Sequence, residues 1–158
     1  MLDCSTFLVI GLAIGHRAPV ANDGFQVVVP PERSQQMSIL IVEDEALVAS
    51  YIEEVLGELG FRVAGIAASG PEALALAAET HPSLALVDIR LTGPLDGIEL
   101  ACRLREKFDL PAIFLSGLGD AETSERAQTA QPLGFLPKPF LPSQVFNAIE
   151  RALSLLGH

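Results

Sequence analysis

Ile39-Leu40-Ile41-Val42-Glu43-Asp44-Glu45 decides the fold, because four consecutive apolar residues run directly into three carboxylates. An apolar run of this length without alternation predicts a short strand that is buried on both faces. Such strands occur in parallel α/β sheets, whose binding crevice lies beyond the carboxyl ends of the strands. The stretch therefore predicts a buried parallel strand that ends at a functional site.

The same arrangement recurs along the chain. Three further polar groups follow short apolar runs: Asp88 after residues 84–87, Ser116 after residues 112–115, and Lys138 just beyond residues 135–136. Residues 62–67 are predicted to form one more strand. Apolar residues at helical spacing and capping signals predict five helices: one ending at Gly60, one from Ser69 to about Glu79, one from Asp96 to about Phe108, one from Asp120 to about Ala130, and one starting near Pro142.

Five βα units in series imply right-handed crossovers with helices on both faces of a sheet. The predicted fold is α/β, a flavodoxin-like doubly wound (βα)5 domain with a parallel sheet in strand order 2-1-3-4-5. Because strands 1 and 3 are neighbours in that order, we expect Glu43, Asp44 and Asp88 to meet at one edge of the sheet.

Composition limits the classes of function. At 158 residues and 49% hydrophobic content, the chain suits one domain with a substantial core. A net charge of -10 without a basic run argues against a nucleic-acid-binding face. Cys4 and Cys102 have neither zinc-site nor disulfide-framework spacing, which favours a reducing, cytoplasmic setting.

Residues 1–36 differ from the rest of the chain. The apolar run at residues 7–15 is too short to cross a membrane, and no Lys or Arg precedes it as in a secretory signal. A second methionine, Met37, stands directly before the first strand. We expect residues 1–36 to be an N-terminal extension, mobile or produced by start-site choice, and residues 37–158 to be the functional domain. A tail that packs on an apolar surface is the alternative.

Converging carboxylates repel one another unless a cation lies among them. Mg²⁺ keeps several waters and takes one or two carboxylates, which suits Asp44 and Asp88 as direct ligands and Glu43 as a water-mediated one. The alternative for residues 43–45 is a charged helix N-terminus.

Lys138, held between two prolines, is expected to pair with Asp88 or with a transferred phosphoryl oxygen rather than to be an ordinary solvated lysine. The Ser116 hydroxyl could donate to the same phosphoryl group, although Ser before Gly is also a common turn.

The chain resembles a bacterial response-regulator receiver domain. The resemblance rests on five stretches taken together and in order: residues 39–45, 86–91, 96–97, 114–117 and 134–140. The resemblance runs from about Met37 to Leu156. It implies the following roles: Asp88 as the phosphorylation site, Glu43 and Asp44 as the acidic pair for Mg²⁺, the Arg90 backbone carbonyl as a further metal ligand, Ser116 as the switch hydroxyl, Phe135 as the switch aromatic residue, and Lys138 as the invariant lysine.

The resemblance also implies partners. A histidine kinase or a histidine phosphotransfer protein would supply the phosphoryl group, and the only chemistry would be the domain's own phosphorylation and dephosphorylation. The face made by helix 4, strand 5 and helix 5 would bind a downstream protein or a second copy. Neither nucleic acid nor membrane is expected as a partner. Since only Gly157 and His158 follow Leu156, we expect no output module and action through a partner, within a phosphorelay, or as a phosphate sink.

Two features depart from the receiver pattern. Thr92 stands where receivers usually have proline, and Asp96 comes one residue later than usual. Because this loop borders the predicted metal site, we expect the rate of phosphorylation and partner docking to differ from those of other receivers. Phe135 lacks the hydroxyl of a tyrosine switch residue, which leaves packing as its means of response.

Two other enzyme or cofactor-binding classes fit the sequence less well. A haloacid-dehalogenase-type phosphatase needs a second Asp where this chain has Arg90, and residues 43–45 would repel the phosphate of a flavin. The main alternative is a non-phosphorylated pseudo-receiver that serves as a protein-binding module. Such modules usually lack one of the acids or the lysine, and all are present here.

Overall fold

The computed structural model describes residues 36–117 and 121–157. Five strands and five helices alternate along this part of the chain. The strands are β1 Ser38–Val42, β2 Arg62–Ala67, β3 Leu84–Asp88, β4 Ala112–Ser116 and β5 Gly134–Pro137. The helices are α1 Ala46–Glu58, α2 Gly70–Thr80, α3 Gly97–Phe108, α4 Ala121–Ala127 and α5 Pro142–Leu155, with a 3-10 turn Gln128–Ala130 after α4.

The sheet confirms the predicted order. It runs β2-β1-β3-β4-β5, and every neighbouring pair is parallel. The register sets Val42 of β1 beside Val87 of β3, so Glu43 and Asp88 both leave the sheet at its carboxyl edge. The fold class is the flavodoxin-like doubly wound arrangement expected from the sequence.

Side chains of successive strand residues point to opposite faces, which gives two apolar layers. Ile39 and Ile41 pack with α1 and α5 on one face, whereas Leu40 and Val42 pack with α2 and α3 on the other. All four of these β1 side chains are completely buried. A continuous apolar strand is thus explained by helices that cover both faces of the sheet.

Local signals in the sequence fix the end of α1 and the start of α2. At the end of α1, the Phe61 and Gly60 amides donate to the carbonyls of Leu56 and Gly57, as in a Schellman motif, and Gly60 has the positive φ of 85° that this motif requires. Ser69 caps α2 through the Glu72 amide. The Glu72 carboxylate accepts a hydrogen bond from the Ala68 amide. In a standard capping box it would accept from the amide of the N-cap residue itself, Ser69.

The helix predicted from Asp120 to about Ala130 is shorter than expected. Its last turn, Gln128–Ala130, is a 3-10 turn, and Asp120 lies outside the described residues. The described part of the chain contains no helix with the length and apolar content needed to cross a membrane. Residues 1–35 also lie outside the described part, so the proposed boundary near Met37 stays a prediction.

Candidate functional site

The site lies at the carboxyl edge of the sheet, where β1 and β3 end side by side. Glu43 is 1% exposed and Asp88 is 7% exposed, and no other polar or charged residue in the described part of the chain is buried. Glu43 and Asp44 precede α1, whose N-cap residue Glu45 makes no side-chain cap bond. Glu43 Oε1 instead accepts a hydrogen bond from the Glu45 amide at 3.0 Å, so one of the two acids also pairs with a backbone donor directly before α1.

Lys138 is brought to the acids by β5. The Lys138 amide donates to the Ser116 carbonyl at 2.6 Å, which extends the pairing of β4 with β5 by one residue. Its Nζ lies 2.6 Å from Glu43 Oε2 and 3.3 Å from Asp88 Oδ2. The lysine thus lies between the two buried acids. The sequence predicted that Lys138 pairs with Asp88 or with a phosphoryl oxygen. The closer bond to Glu43 was missed, because strand order does not determine which of two neighbouring acids a side chain reaches.

Burial and charge oppose each other in this pair. Desolvation raises the pKa of Glu43 from its ordinary value of 4.5 to about 7, although the hydrogen bond from Lys138 acts in the opposite direction. Burial alone would lower the pKa of Lys138, but its hydrogen bond to Glu43 and the charge of Asp88 outweigh burial and raise that pKa. Lys138 therefore stays a cation at neutral pH, where it offsets the repulsion between the acids.

Asp44 is held by the loop between β3 and α3. Thr92 Oγ1 donates to Asp44 Oδ2 at 2.9 Å. Partial burial acts to raise the pKa of Asp44, but hydrogen bonds, led by the one from the Thr92 side chain, outweigh it and keep that pKa below its usual value. Asp44 is consequently an anion at neutral pH. In the sequence, Thr92 stands out only as a departure from the receiver pattern, and its contact with Asp44 was not predicted.

Asp88 ends β3, and the main chain around it is tightly constrained. Its Oδ1 accepts a hydrogen bond from the Arg90 amide at 3.0 Å. Behind it, α3 begins so close that a Cβ on Gly97 would lie 2.0 Å from the Asp88 carbonyl oxygen. Glycine at the start of α3 is therefore required by the close approach of two backbone segments. Asp96-Gly97 is one of the stretches that carry the receiver resemblance. The sequence did not show why its second residue must be glycine.

The donor set fits a magnesium ion. Glu43, Asp44 and Asp88 each offer one carboxylate oxygen, and these atoms lie within 4.8 Å of one another. Mg²⁺ binds oxygen ligands at about 2.1 Å, so two direct ligands lie at most about 4.2 Å apart. The three oxygens are therefore close enough that small side-chain movements would let Asp44 and Asp88 bind the same Mg²⁺. The role of the Arg90 carbonyl stays a prediction.

The two predicted switch residues flank the site on β4 and β5. Ser116 is the last residue of β4 and is half-buried, and its register partner is Pro137. The half-buried Phe135 ring packs against Phe114, with ring centroids 5.9 Å apart. The Phe135 ring lies on the face of the sheet that carries α2, α3 and Ala127 of α4, whereas α5 packs on the opposite face.

An apolar groove opens beside Lys138. Its wall includes Val48 and Tyr51 of α1 together with Phe140, and the Tyr51 hydroxyl donates to the Phe140 carbonyl at 3.1 Å. Leu47, in the first turn of α1, borders the groove and is 87% exposed. The groove gives a partner an apolar surface next to the acids.

Comparison with known proteins agrees with this geometry. Residues 39–150 match the family model described as the response regulator receiver domain. The chain is 36% identical over 116 residues to the transcriptional regulatory protein PdtaR of Mycobacterium tuberculosis, covering 73% of this chain and 56% of that protein. It is also 36% identical over 117 residues to the phyllosphere-induced regulator PhyR of Methylorubrum extorquens, covering 73% of this chain and 43% of PhyR. The chain thus spans about half the length of these relatives.

Two solved structures give the same result. The signal receiver domain of a modulated diguanylate cyclase from Desulfovibrio desulfuricans is 41% identical, with a TM-score of 0.70 over 74% of this chain and 93% of that one. A response regulator from Chloroflexus aurantiacus is 32% identical, with a TM-score of 0.69 over 75% of this chain and 98% of that one. Residues 39–150, which match the family model, include Glu43, Asp44, Asp88 and Lys138.

Proposed function

Since the chain belongs to the response regulator receiver family, a family of signalling modules rather than conventional enzymes, we propose that it accepts a phosphoryl group on Asp88. The observation that carries the proposal is the meeting of Glu43, Asp44 and Asp88 at one edge, with Lys138 Nζ between two of them. A pseudo-receiver would be expected to lack one of these groups.

The reaction follows from the groups around Asp88. A carboxylate oxygen of Asp88 attacks the phosphorus of a phosphohistidine, and the phosphorus–nitrogen bond breaks with its electron pair leaving on the imidazole nitrogen. Lys138, 3.3 Å from Asp88 Oδ2, donates to a phosphoryl oxygen and offsets its charge. Asp44 and Asp88, with Glu43 through water and the Arg90 carbonyl, would hold Mg²⁺, which when bound neutralises charge on the phosphoryl oxygens. Water later cleaves the acyl phosphate, which restores the carboxylate and releases phosphate.

A small phosphoryl donor tests this proposal directly. The protein is incubated with acetyl phosphate and Mg²⁺, and its intact mass is measured. We expect the gain of one phosphoryl group, and its loss in Asp88→Asn. Asp109→Asn is the matched control, because Asp109 is an exposed acid at the end of α3 and its replacement should leave the label in place. A label retained on Asp88→Asn would refute the assignment, and an unlabelled wild-type protein would favour a non-phosphorylated binding module.

The phosphoryl donor is a histidine kinase or a histidine phosphotransfer protein. The apolar groove beside Lys138, with the exposed Leu47 at its border, supports docking of this donor over α1, next to the acids. Docking there would bring the donor's phosphohistidine close to Asp88. Basic or apolar side chains on the donor would suit this edge, because the site is acidic and the groove is apolar.

The signal leaves through the face formed by α4, β5 and α5, which binds a downstream protein or a second copy. A phosphoryl oxygen accepts a hydrogen bond from the Ser116 hydroxyl, and the resulting shift of β4 changes the space beside the Phe135 ring. Hydrogen exchange with and without the phosphoryl mimic beryllofluoride measures this response. We expect altered protection in residues 112–117 and 121–140, and unchanged protection there would refute this route.

A further inference from the structure

Thr92 holds a carboxylate of the proposed metal site from outside the site. Its hydroxyl donates to Asp44 Oδ2 at 2.9 Å, and the Thr92 backbone also makes a hydrogen bond to the same carboxylate. Asp44 lies after β1 and Thr92 lies after β3, so the bond joins two neighbouring segments at the carboxyl edge of the sheet. The Thr92 side chain is thereby one of the groups that hold the Asp44 carboxylate at this edge.

The position of Thr92 is fixed by its neighbours. Leu91 and Leu95, on either side of the exposed segment, are each 6% exposed, and Leu91 packs in the core cluster with α2 and α3. Leu95 packs so tightly on the start of α2 that a Cβ on Gly70 would lie 2.6 Å from the Leu95 Cβ. Gly93, directly after Thr92, has a φ of 103°, which favours glycine. The loop is therefore anchored at both ends, and the Thr92 hydroxyl is presented to Asp44 by a fixed backbone.

We infer that Thr92 is a positioning residue that orients Asp44 for a divalent cation, an inference that rests on the proposed function. An acid between other acids is repelled by them, and a hydrogen bond from a fixed donor opposes its rotation away from the site. Removing a side chain that hydrogen-bonds to a metal ligand commonly weakens metal binding by about 10–100-fold. The effect here should be smaller, about three- to tenfold, because Thr92 is exposed and water can replace its hydroxyl.

Valine and serine at this position separate the hydroxyl from the shape of the side chain. Thr92→Val keeps the branched shape and removes the donor, whereas Thr92→Ser keeps the donor. Thr80→Val is the matched control, because the Thr80 hydroxyl bonds the Leu76 carbonyl in α2. Mg²⁺ affinity is measured by calorimetric titration of each folded protein, together with its free energy of unfolding without Mg²⁺ and its labelling by acetyl phosphate.

We expect Thr92→Val to bind Mg²⁺ about three- to tenfold more weakly and Thr92→Ser and Thr80→Val to bind it like the wild type. A merely structural role would lower the free energy of unfolding of Thr92→Val and leave its Mg²⁺ affinity unchanged, which would overturn the inference. Equal losses in the valine and serine variants would overturn it too. If Thr92→Val binds Mg²⁺ normally and the wild type is still labelled, only this inference fails; a wild type that neither binds Mg²⁺ nor takes the label refutes the proposed function and this inference together.

Discussion

Gly97→Ala should be the most destabilising small change near the site. The added Cβ would lie 2.0 Å from the Asp88 carbonyl oxygen, 2.8 Å from the Asp88 carbonyl carbon and 2.9 Å from the Ile89 Cα, all of them backbone atoms. An ordinary contact needs about 3.4 Å, so the end of β3 and the start of α3 must separate by roughly 1.4 Å. The hydrogen bond from the Gly97 amide to the Ile89 carbonyl, 3.2 Å long, ties these two segments together and resists that shift.

The magnitude follows from the rigidity of both partners. Overpacking of a core typically costs about 1–3 kcal/mol, and a clash between two backbone segments belongs at the upper end, so we expect a loss of about 3 kcal/mol in the free energy of unfolding. For a domain of this size that corresponds to a fall in Tm of roughly 10–15 °C. Because Asp88 moves with its own carbonyl, labelling by acetyl phosphate should also slow in the fraction that stays folded.

Gly57→Ala is the matched control. Gly57 is an exposed glycine within α1, and a Cβ there would meet no atom within 4 Å. Alanine should therefore stabilise the helix by about 0.5–1 kcal/mol and leave labelling unchanged. Urea unfolding followed by far-UV circular dichroism measures both variants. A Gly97→Ala protein as stable as the wild type, or a Gly57→Ala protein equally destabilised, would refute the reasoning.

Three further predictions concern pH, the donor and the chain boundary. Since the pKa of Glu43 rises from 4.5 to about 7 on folding, the folded state binds this proton more tightly, so this group's contribution to the stability of the metal-free protein should fall as pH rises across that window. Mg²⁺ competes with the same proton, so Mg²⁺ affinity should rise between about pH 5.5 and 7.5 in calorimetric titrations; an equally steep rise in Glu43→Gln would contradict this. Leu47→Asp should slow phosphotransfer from a donor protein but not from acetyl phosphate, because Leu47 borders the groove and is not one of the three acids of the site; equal rates with the donor protein would exclude docking there. A chain that begins at Met37 should unfold at the same urea concentration as the full chain and take the label equally, and a large loss of stability would show that residues 1–36 pack on the domain.

The sequence alone determined the order of elements and the edge at which the site lies. The apolar runs before Glu43 and Asp88 predicted buried strands, because burial on both faces removes polar residues from every strand position. The doubly wound order then followed from chain connectivity, and with it the meeting of three acids at one edge. Local caps such as Gly60 could also be predicted, because the unpaired backbone groups at a helix end are hydrogen-bonded by residues within a few positions of it.

Only the tertiary structure decided how the site's side chains pair. The bond of Lys138 to Glu43 spans 95 residues and that of Thr92 to Asp44 spans 48, and neither leaves a periodic signal. The need for glycine at Gly97 depends on where α3 passes the end of β3, a distance of a few ångströms that hydrophobic spacing does not encode. Periodicity reports which face of an element is buried, whereas these contacts depend on the register between strands and on individual rotamers. The sequence therefore identified the acids and the lysine, and the packed fold determined which of them bind one another.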